Sequence, residues 1–191
     1  MYWKDEGFLL SKYNFDENSI LIEVFTFYHG KYTGIVYGGS SRKQKRNFQT
    51  GNKILLNWRS KNENKTGYFN VELLQAIAPP FFDDKKKTVC ILSATSILKI
   101  LLPERETNKN IYKSFDNMLN GLKFDNWINL YINWELTLIK ELGFENNARI
   151  DKNESIKKAL SFNKKLLMEN FIIPNRMKFP IFRNILENYF N

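Results

Sequence analysis

The hydrophobic pattern of this chain changes its period at one place, the pair Pro79-Pro80. Before the pair, short runs of β-branched and aromatic residues alternate with turn signals, which is typical of strands. After it, apolar residues recur at the i, i+3, i+4 spacing of amphipathic helices. Because proline neither continues a strand ladder nor fits a helix interior, the pair marks a boundary. The sequence therefore predicts a β domain over residues 1–80 and a helical domain over residues 81–191.

Five strands are predicted in the first domain. They cover residues 3–12, 19–28, 31–37, 52–59 and 68–77. In the fourth strand, Ile54, Leu56 and Trp58 share one parity, so we expect them to face the same side. Five short strands with no helix-length period among them favour a small closed barrel, and a five-stranded oligonucleotide/oligosaccharide-binding (OB) barrel is the economical interpretation. The predicted fold class is α+β, with an OB-type barrel followed by an all-α domain.

Five helices are predicted in the second domain. They cover residues 85–102, 108–121, 125–142, 154–171 and 180–190. Asp83-Asp84 supplies an N-cap and negative charge for the first helix, and Gly143 is a natural C-cap for the third. The third helix is apolar around most of its circumference, so it is predicted to be the buried centre of the helical domain.

Positive charge is concentrated between Gly39 and Lys65. This segment holds eight cations and one acid, Glu63, so it carries +7 of the chain's net charge of +9. Such a segment suits a polyanionic partner, either nucleic acid or an anionic membrane surface. The chain is rich in Lys, Asn and Ile, a mix that AT-rich coding DNA produces without selection on charge. Three of its seven arginines lie in the segment, however, and such a bias does not enrich arginine.

The simplest interpretation of a charge run is a solvated loop between strands. Gly38-Gly39 and Ser40-Ser41 also offer backbone amides and hydroxyls to phosphates. Tyr37, Phe48 and Trp58 would stack on bases if exposed, whereas Phe48 and Trp58 would otherwise be core residues. The residues predicted to contact nucleic acid are Arg42, Lys43, Lys45, Arg46, Trp58, Arg59 and Lys61.

The titratable residues do not indicate an enzyme. Cys90 is the only cysteine and His29 the only histidine, which excludes an internal disulfide or a Cys/His zinc site built by one chain. His29 lies in a turn, where an ordinary solvent-exposed role is expected, and Cys90 lies among apolar residues, where we expect burial. The acids form no spaced catalytic pair, and no glycine-rich phosphate loop is present. We predict no catalytic residue, cofactor or metal.

The sequence does not indicate a membrane protein. No run reaches the ~18 apolar residues of a membrane span. The N-terminus, MYWKDEGF, has no signal-peptide pattern. We therefore expect a cytoplasmic protein with no membrane partner.

The order of motifs along the chain resembles the bacterial recombination and repair protein RecO family. The resemblance runs from about residue 2 to residue 145. The matching segments are Trp3-Lys4-Asp5-Glu6-Gly7, Leu9-Leu10-Ser11, Phe25-Thr26, His29-Gly30-Lys31, Gly34-Ile35-Val36, Gly38-Gly39, Ser41-Arg42, Phe48-Gln49-Thr50-Gly51-Asn52, Trp58-Arg59, Glu72, Leu102-Pro103-Glu104-Arg105-Glu106, Trp134-Glu135-Leu136 and Glu141-Leu142-Gly143-Phe144.

The resemblance implies an N-terminal OB fold, a C-terminal helical domain and a non-enzymatic role as a recombination mediator. RecO-like proteins bind single- and double-stranded DNA and anneal complementary strands. They work with RecR and with the single-stranded DNA-binding protein, through its C-terminal tail, to load RecA. By resemblance, Arg42, Arg46 and Arg59 are DNA contacts, and the expected location is the nucleoid within the cytoplasm.

The chain departs from the family pattern after Phe144. Many relatives insert a longer segment there, sometimes with a cysteine zinc cluster, whereas here only Glu145 to Lys152 intervenes before the next helix. Because the chain has no second cysteine, a short form without zinc is implied.

Two other functions stay open from the residues alone. One is a general OB-type RNA- or ribosome-binding module, whose barrel binds structured RNA. The other is a protein–protein adaptor, whose helical domain docks the acidic tail of a partner. Competition between single-stranded DNA and a structured RNA separates the first alternative from a DNA-binding protein.

Overall fold

The computed structural model describes residues 1–41, 44, 47–62, 66–144 and 155–190. Within these residues five strands come first: β1 Tyr2–Asn14, β2 Ser19–Thr26, β3 Gly30–Tyr37, β4 Lys53–Arg59 and β5 Gly67–Gln75. Five α-helices follow: α1 Lys85–Leu101, α2 Lys109–Gly121, α3 Trp127–Glu141, α4 Ile156–Leu167 and α5 Ile181–Asn188. Every predicted strand and helix is present, with ends that differ by a few residues. A π-helical turn, Met168–Ile172, extends α4.

The strands form a closed barrel in the order β1-β2-β3-β5-β4. The pairs are antiparallel except for a short parallel contact between β3 and β5, which closes the barrel. As predicted, Ile54, Leu56 and Trp58 of β4 all point into the barrel and are buried. A closed five-stranded barrel followed by helices confirms the predicted fold class.

Two glycines make the closing contact sterically possible. Gly34 of β3 pairs with Gly67 of β5. A Cβ atom at Gly34 would lie 2.5 Å from the ring of Phe69, and one at Gly67 would lie 2.2 Å from Nε1 of Trp58. Both distances are far inside ordinary van der Waals contact. The two aromatic rings therefore occupy the space that side chains at these positions would need.

The hydrophobic core has two parts. One fills the barrel and includes Ile22, Val24 and the inward residues of β4. The other lies between the barrel and the helices, where Phe8 of β1 packs against Tyr112 and Phe115 of α2 with ring centroids 5.0 Å apart in each case. The helices thus sit directly on one side of the barrel. That residues 1–80 and 81–191 are separate domains stays a prediction.

Both α1 and α3 are largely enclosed. In α3, Asn129, Asn133 and Lys140 are exposed. In α1, by contrast, no residue from Lys87 to Leu101 is exposed, because the helix packs against β1 and α5. Eight of the fifteen residues of α3 are nevertheless buried, including Tyr131 and Trp134, and the helix packs against α2 and α4. The expectation that α3 is a buried central helix holds except for one solvent-facing side that carries its polar positions.

Both predicted helix caps are confirmed. The Asp84 side chain accepts hydrogen bonds from the backbone N–H groups of Lys86 and Lys87, at 3.1 Å each. At the end of α3, Gly143 adopts a φ of 95° and the Phe144 N–H donates to the Ile139 carbonyl at 3.2 Å. The second arrangement is a Schellman motif, which requires a left-handed residue at this position.

Candidate nucleic-acid interface

A row of aromatic rings and one arginine crosses the outer surface of the barrel. The strand register places Tyr2 of β1 opposite Arg59 of β4, and Arg59 opposite Tyr68 of β5. Tyr37, the last residue of β3, continues the row because its ring stacks on Tyr68 with centroids 5.0 Å apart. We call Tyr2, Arg59, Tyr68 and Tyr37 the aromatic–arginine row.

The aromatic–arginine row is open to solvent. Tyr37 is 67% exposed, Tyr2 is 59% exposed and Tyr68 is 42% exposed. The guanidinium carbon of Arg59 lies 5.4 Å from the centroid of the Tyr2 ring, which is a cation–π distance. Large aromatic side chains grouped on a surface mark an interaction site rather than a scattered exposure.

Polar side chains run beside the row. Lys4, Asn57 and Asn70 occupy the next outward positions on β1, β4 and β5. The Tyr2 hydroxyl donates to Oδ1 of Asn57 at 3.0 Å. A cleft of about 520 Å³ follows the row, and its lining includes Asn57, Asn70 and all four members of the row. Cations, amides and open π faces together are the groups that bind a single nucleic-acid strand.

Of the predicted site residues, Arg59 and Lys61 are exposed. Trp58 is 4% exposed and stacks on Trp3 inside the barrel, with centroids 5.5 Å apart. Strand parity explains the difference, since Arg59 points outward and its neighbour Trp58 points inward. Phe48 is also buried in the barrel core. Trp58 and Phe48 are therefore core residues and not members of the exposed row.

The other four predicted contacts, Arg42, Lys43, Lys45 and Arg46, lie outside the described residues. Gln44, which stands between them in the sequence, lines the same cleft as Arg59. The segment Glu145 to Lys152 also lies outside the described residues.

The sequence-based set omits Tyr2 and Tyr68. A local signal exists for both, because each precedes an inward aromatic residue, Trp3 or Phe69, and must therefore face outward. What the sequence does not show is that β1, β4 and β5 are neighbours in the register that aligns these rings with Arg59. Only the folded barrel brings the row together.

His29 is not the exposed turn residue that the sequence predicts. Its Nδ1 atom lies 2.8 Å from Oδ2 of Asp5, whose side chain is buried. Its ring stacks on Trp3 with centroids 4.2 Å apart. Asp5 also accepts a hydrogen bond from the Tyr28 N–H at 2.7 Å, so it ties the β2–β3 turn to β1. The expectation of a solvent-exposed His29 is wrong because Asp5 points inward and its carboxylate holds the imidazole beside it.

Cys90 is fully buried in α1, as predicted. Burial raises the pKa of its thiol well above the ordinary value, which keeps the sulfur protonated and unreactive. Among the described residues, no group of three His, Cys, Asp or Glu side chains could hold a metal ion. No helix in the described ranges is long and apolar enough to cross a membrane.

The fold and the site define a class of protein: an OB-type barrel with an open aromatic–arginine row, joined to a helical region. Comparison with family models narrows this class. The model described as Recombination protein O N terminal matches residues 1–77, and the one described as Recombination protein O C terminal matches residues 83–148. The chain belongs to the RecO family, and the resemblance seen in the sequence motifs is confirmed.

The chain is similar to several bacterial proteins named DNA repair protein RecO. With that of Cereibacter sphaeroides strain ATCC 17025 it shares 34% identity over 142 residues, covering 74% of this chain and 60% of the relative. With that of Roseobacter denitrificans it shares 34% over 145 residues, or 75% and 60% of the two chains. With that of Wolbachia sp. subsp. Drosophila simulans it shares 31% over 164 residues, or 85% and 68%. The chain thus spans about 60% of the length of the first two relatives.

Proposed function

We propose that this chain is a DNA-binding protein of DNA repair that holds and anneals DNA strands on the outer surface of its barrel. The observation that carries the proposal is the aromatic–arginine row, four exposed residues from β1, β4, β5 and β3 aligned across one surface. The choice of DNA follows from family membership, because the relatives are named DNA repair proteins.

The chemistry of the row suits a single strand of any sequence. Bases stack on exposed tyrosine rings with about 1–3 kcal/mol per base, whatever the base. Arg59 and Lys61, together with the four cations of residues 42–46, would neutralise phosphates. Each such contact adds roughly 0.7 to the slope of log affinity against log salt for a single strand. Contacts of this kind hold a strand without distinguishing its bases.

Annealing follows from the same geometry. A strand held through its phosphates and the faces of its bases keeps its hydrogen-bonding edges available for a complementary strand. Joining two strands in this way breaks no covalent bond. The proposed role therefore needs no catalytic residue, cofactor or metal.

The proposed partners come from the family resemblance. We infer that RecR and the C-terminal tail of the single-stranded DNA-binding protein are protein partners, that RecA loading is the outcome, and that the protein works on double- as well as single-stranded DNA in the nucleoid. Among the described residues we assign none to these protein partners.

The salt dependence of binding to a thymidine oligomer tests the proposal. Replacing Arg59→Ala together with Lys61→Ala should lower the slope of log affinity against log salt by about 1.4, since two phosphate contacts are lost. The matched control is Lys157→Ala with Lys158→Ala, which removes the same charge from two exposed positions of α4. An unchanged slope in the first variant, or an equal change in the control, would contradict the proposal.

A competition experiment tests the choice of nucleic acid. A structured RNA is added to the complex with the thymidine oligomer, and displacement is followed by fluorescence anisotropy. We expect the DNA strand to be retained at equal competitor concentration. Clear displacement by the RNA would favour the alternative of a general RNA-binding module.

A further inference from the structure

The barrel opens to solvent at one end, immediately beside the aromatic–arginine row. The cavity there has a volume of about 560 Å³, which lies within the range of ligand pockets. Its walls are the rings of Tyr2, Trp3, His29, Tyr32 and Trp58, with Arg105 at its edge. We call this cavity the barrel mouth.

The rings of the barrel mouth are held in a fixed arrangement. Trp3 stacks between His29, at 4.2 Å and an angle of 9°, and Trp58, at 5.5 Å and 16°. Tyr32 meets Trp3 edge-on, with centroids 5.1 Å apart and an angle of 75°. The contact between His29 and buried Asp5 anchors this stack to β1. Since His29 and Trp58 cover both faces of Trp3, a flat ring entering the mouth meets the exposed ring of Tyr2 and the edges of the stack. A nucleobase is a ring of this kind, and aromatic walls of fixed geometry suit it.

Arg105 brings a positive charge to the barrel mouth from the loop between α1 and α2. Its guanidinium carbon lies 5.5 Å from the centroid of the Tyr32 ring. Its φ is 62°, a left-handed conformation that costs a non-glycine residue about 1–3 kcal/mol. Strain of this kind persists where the surroundings impose it, and it is concentrated at ligand sites.

The barrel imposes the conformation of this loop. The Arg105 N–H donates to the Lys31 carbonyl at 2.9 Å. Next to it, Gly30 leaves room for Glu106, because a Cβ atom at Gly30 would lie 2.1 Å from the Glu106 carbonyl oxygen. The loop is therefore docked on the β2–β3 turn, and the docking places Arg105 at the barrel mouth.

Tyr2 connects the barrel mouth to the aromatic–arginine row, since its side chain lines both the mouth and the cleft along the row. We propose that the barrel mouth takes one nucleotide of a bound single strand, with the base on the ring of Tyr2 and against the edges of Trp3 and Tyr32, and its phosphate on Arg105. This inference rests on the proposed function, and it adds a second, enclosed subsite to the open row.

Photochemical cross-linking tests the inference directly. Thymidine oligomers carrying one 5-iodouracil at successive positions are irradiated with the full chain, and the attached residue is identified by mass spectrometry. We expect cross-links at Trp3 or Tyr32. In Arg105→Gly, which removes the side chain and tolerates the left-handed φ, the yield should fall about 10-fold, as expected for the loss of one hydrogen bond between a guanidinium and a phosphate.

The structure offers a matched control. Arg176 is the other described non-glycine residue with positive φ, at 53°, and it is exposed in the helical region. Arg176→Gly should leave the cross-link yield unchanged, and Arg105→Lys, which restores a cation, should recover much of it. If Arg105→Gly lowers the unfolding temperature, the role of Arg105 is judged from the cross-link yield of Arg105→Lys relative to wild type.

The outcomes separate this inference from the proposed function. A strand that binds with its full salt slope but cross-links only outside the mouth would overturn the inference and leave the open row in place. A chain that binds no strand would overturn both. Free thymidine monophosphate distinguishes the source of the nucleotide: loss of the cross-link at a concentration that leaves strand affinity unchanged would make the mouth a mononucleotide site and overturn its assignment to a strand.

Discussion

Arg59 and Arg183 carry the same guanidinium group in opposite environments. Arg59 lies on the barrel surface above the ring of Tyr2 and is exposed. Arg183 of α5 is fully buried, with its Nε atom 2.5 Å from Oε1 of Glu135 and its Nη2 atom 3.1 Å from Oε2. An exposed cation exchanges water for a phosphate at small cost, whereas a buried one cannot leave its carboxylate. The position of a charged side chain, rather than its residue type, therefore decides whether it is available to bind a partner.

The buried charge is part of a network that joins four helices. Glu135 of α3 accepts from the Tyr131 hydroxyl at 2.7 Å and from the Asn163 amide of α4 at 3.2 Å. Tyr131 in turn contacts Ser93 of α1 at 2.8 Å. Burial opposes the charge on Arg183, but the adjacent Glu135 carboxylate outweighs it and raises the pKa of the guanidinium. In the helical region, therefore, the buried charge is paired within the fold and is not available to a partner.

The largest expected effect is on this buried pair. Arg183→Ala should lower the free energy of unfolding by about 3–5 kcal/mol, because it leaves Glu135 as a buried carboxylate without its cation. Urea denaturation followed by circular dichroism measures the change. Lys157→Ala, an exposed change on α4, should stay within about 0.5 kcal/mol of the wild-type value. A loss below about 1 kcal/mol for Arg183→Ala would remove the contrast with Arg59.

A double variant separates the charge from its burial. Glu135→Leu combined with Arg183→Met replaces both ions with apolar groups, so no charge is left unpaired. Replacements of this kind are often neutral or stabilising, and we expect most of the loss seen in Arg183→Ala to be recovered. A double variant less stable than Arg183→Ala would show that the pair acts through its specific hydrogen bonds to Tyr131, Asn163 and the Leu160 carbonyl.

The closing contact of the barrel depends on close packing. Gly67→Ala places a Cβ atom 2.2 Å from Nε1 of Trp58, so β5 or the indole must shift. Overpacking of this kind costs about 1–3 kcal/mol of unfolding free energy. Asn70→Ala, at an exposed position of the same strand, is the matched control. Equal stability of the two variants in urea would show that the closing contact of the barrel is adaptable.

Replacing Asp84 tests whether a partly exposed charge also stabilises the fold. It accepts hydrogen bonds from the first turn of α1, so Asp84→Ala should lower the unfolding free energy by about 1 kcal/mol. Asp83→Ala removes the same charge from the neighbouring exposed residue and should change stability by less than half as much. Thermal unfolding of the two variants at matched salt measures the difference. Identical midpoints would assign the effect to net charge instead of the cap.

The sequence was sufficient for the strands, the helices and their caps, which depend on local pattern. Alternation at period two located the strands and the inward side of β4, and the spacing of apolar residues located the helices. The caps Asp84 and Gly143 follow from residue type at a helix end. The enclosure of α1 did not follow, because it depends on the barrel surface that covers the helix.

The candidate site was predicted only in part, because strand register is non-local. Arg59 was found through its place in a basic segment, but Tyr2 and Tyr68 join it only through pairing between distant strands. Glu135 and Arg183 are 48 residues apart, and nothing near either one in the sequence shows that both are buried. Charged residues are almost always exposed, so a pattern analysis assigns both of them to the surface.

The smallest expected effect on stability is at Arg59, and it completes the contrast with Arg183. Arg59→Ala should change the free energy of unfolding by no more than about 0.5 kcal/mol, since the side chain is exposed. The same variant should lower the slope of log affinity for a thymidine oligomer against log salt by about 0.7. Arg183→Ala, measured at a temperature where it stays folded, should show the reverse: reduced stability with an unchanged slope. If both variants change the slope equally, the helical charge contributes to binding, and exposure no longer separates the two arginines.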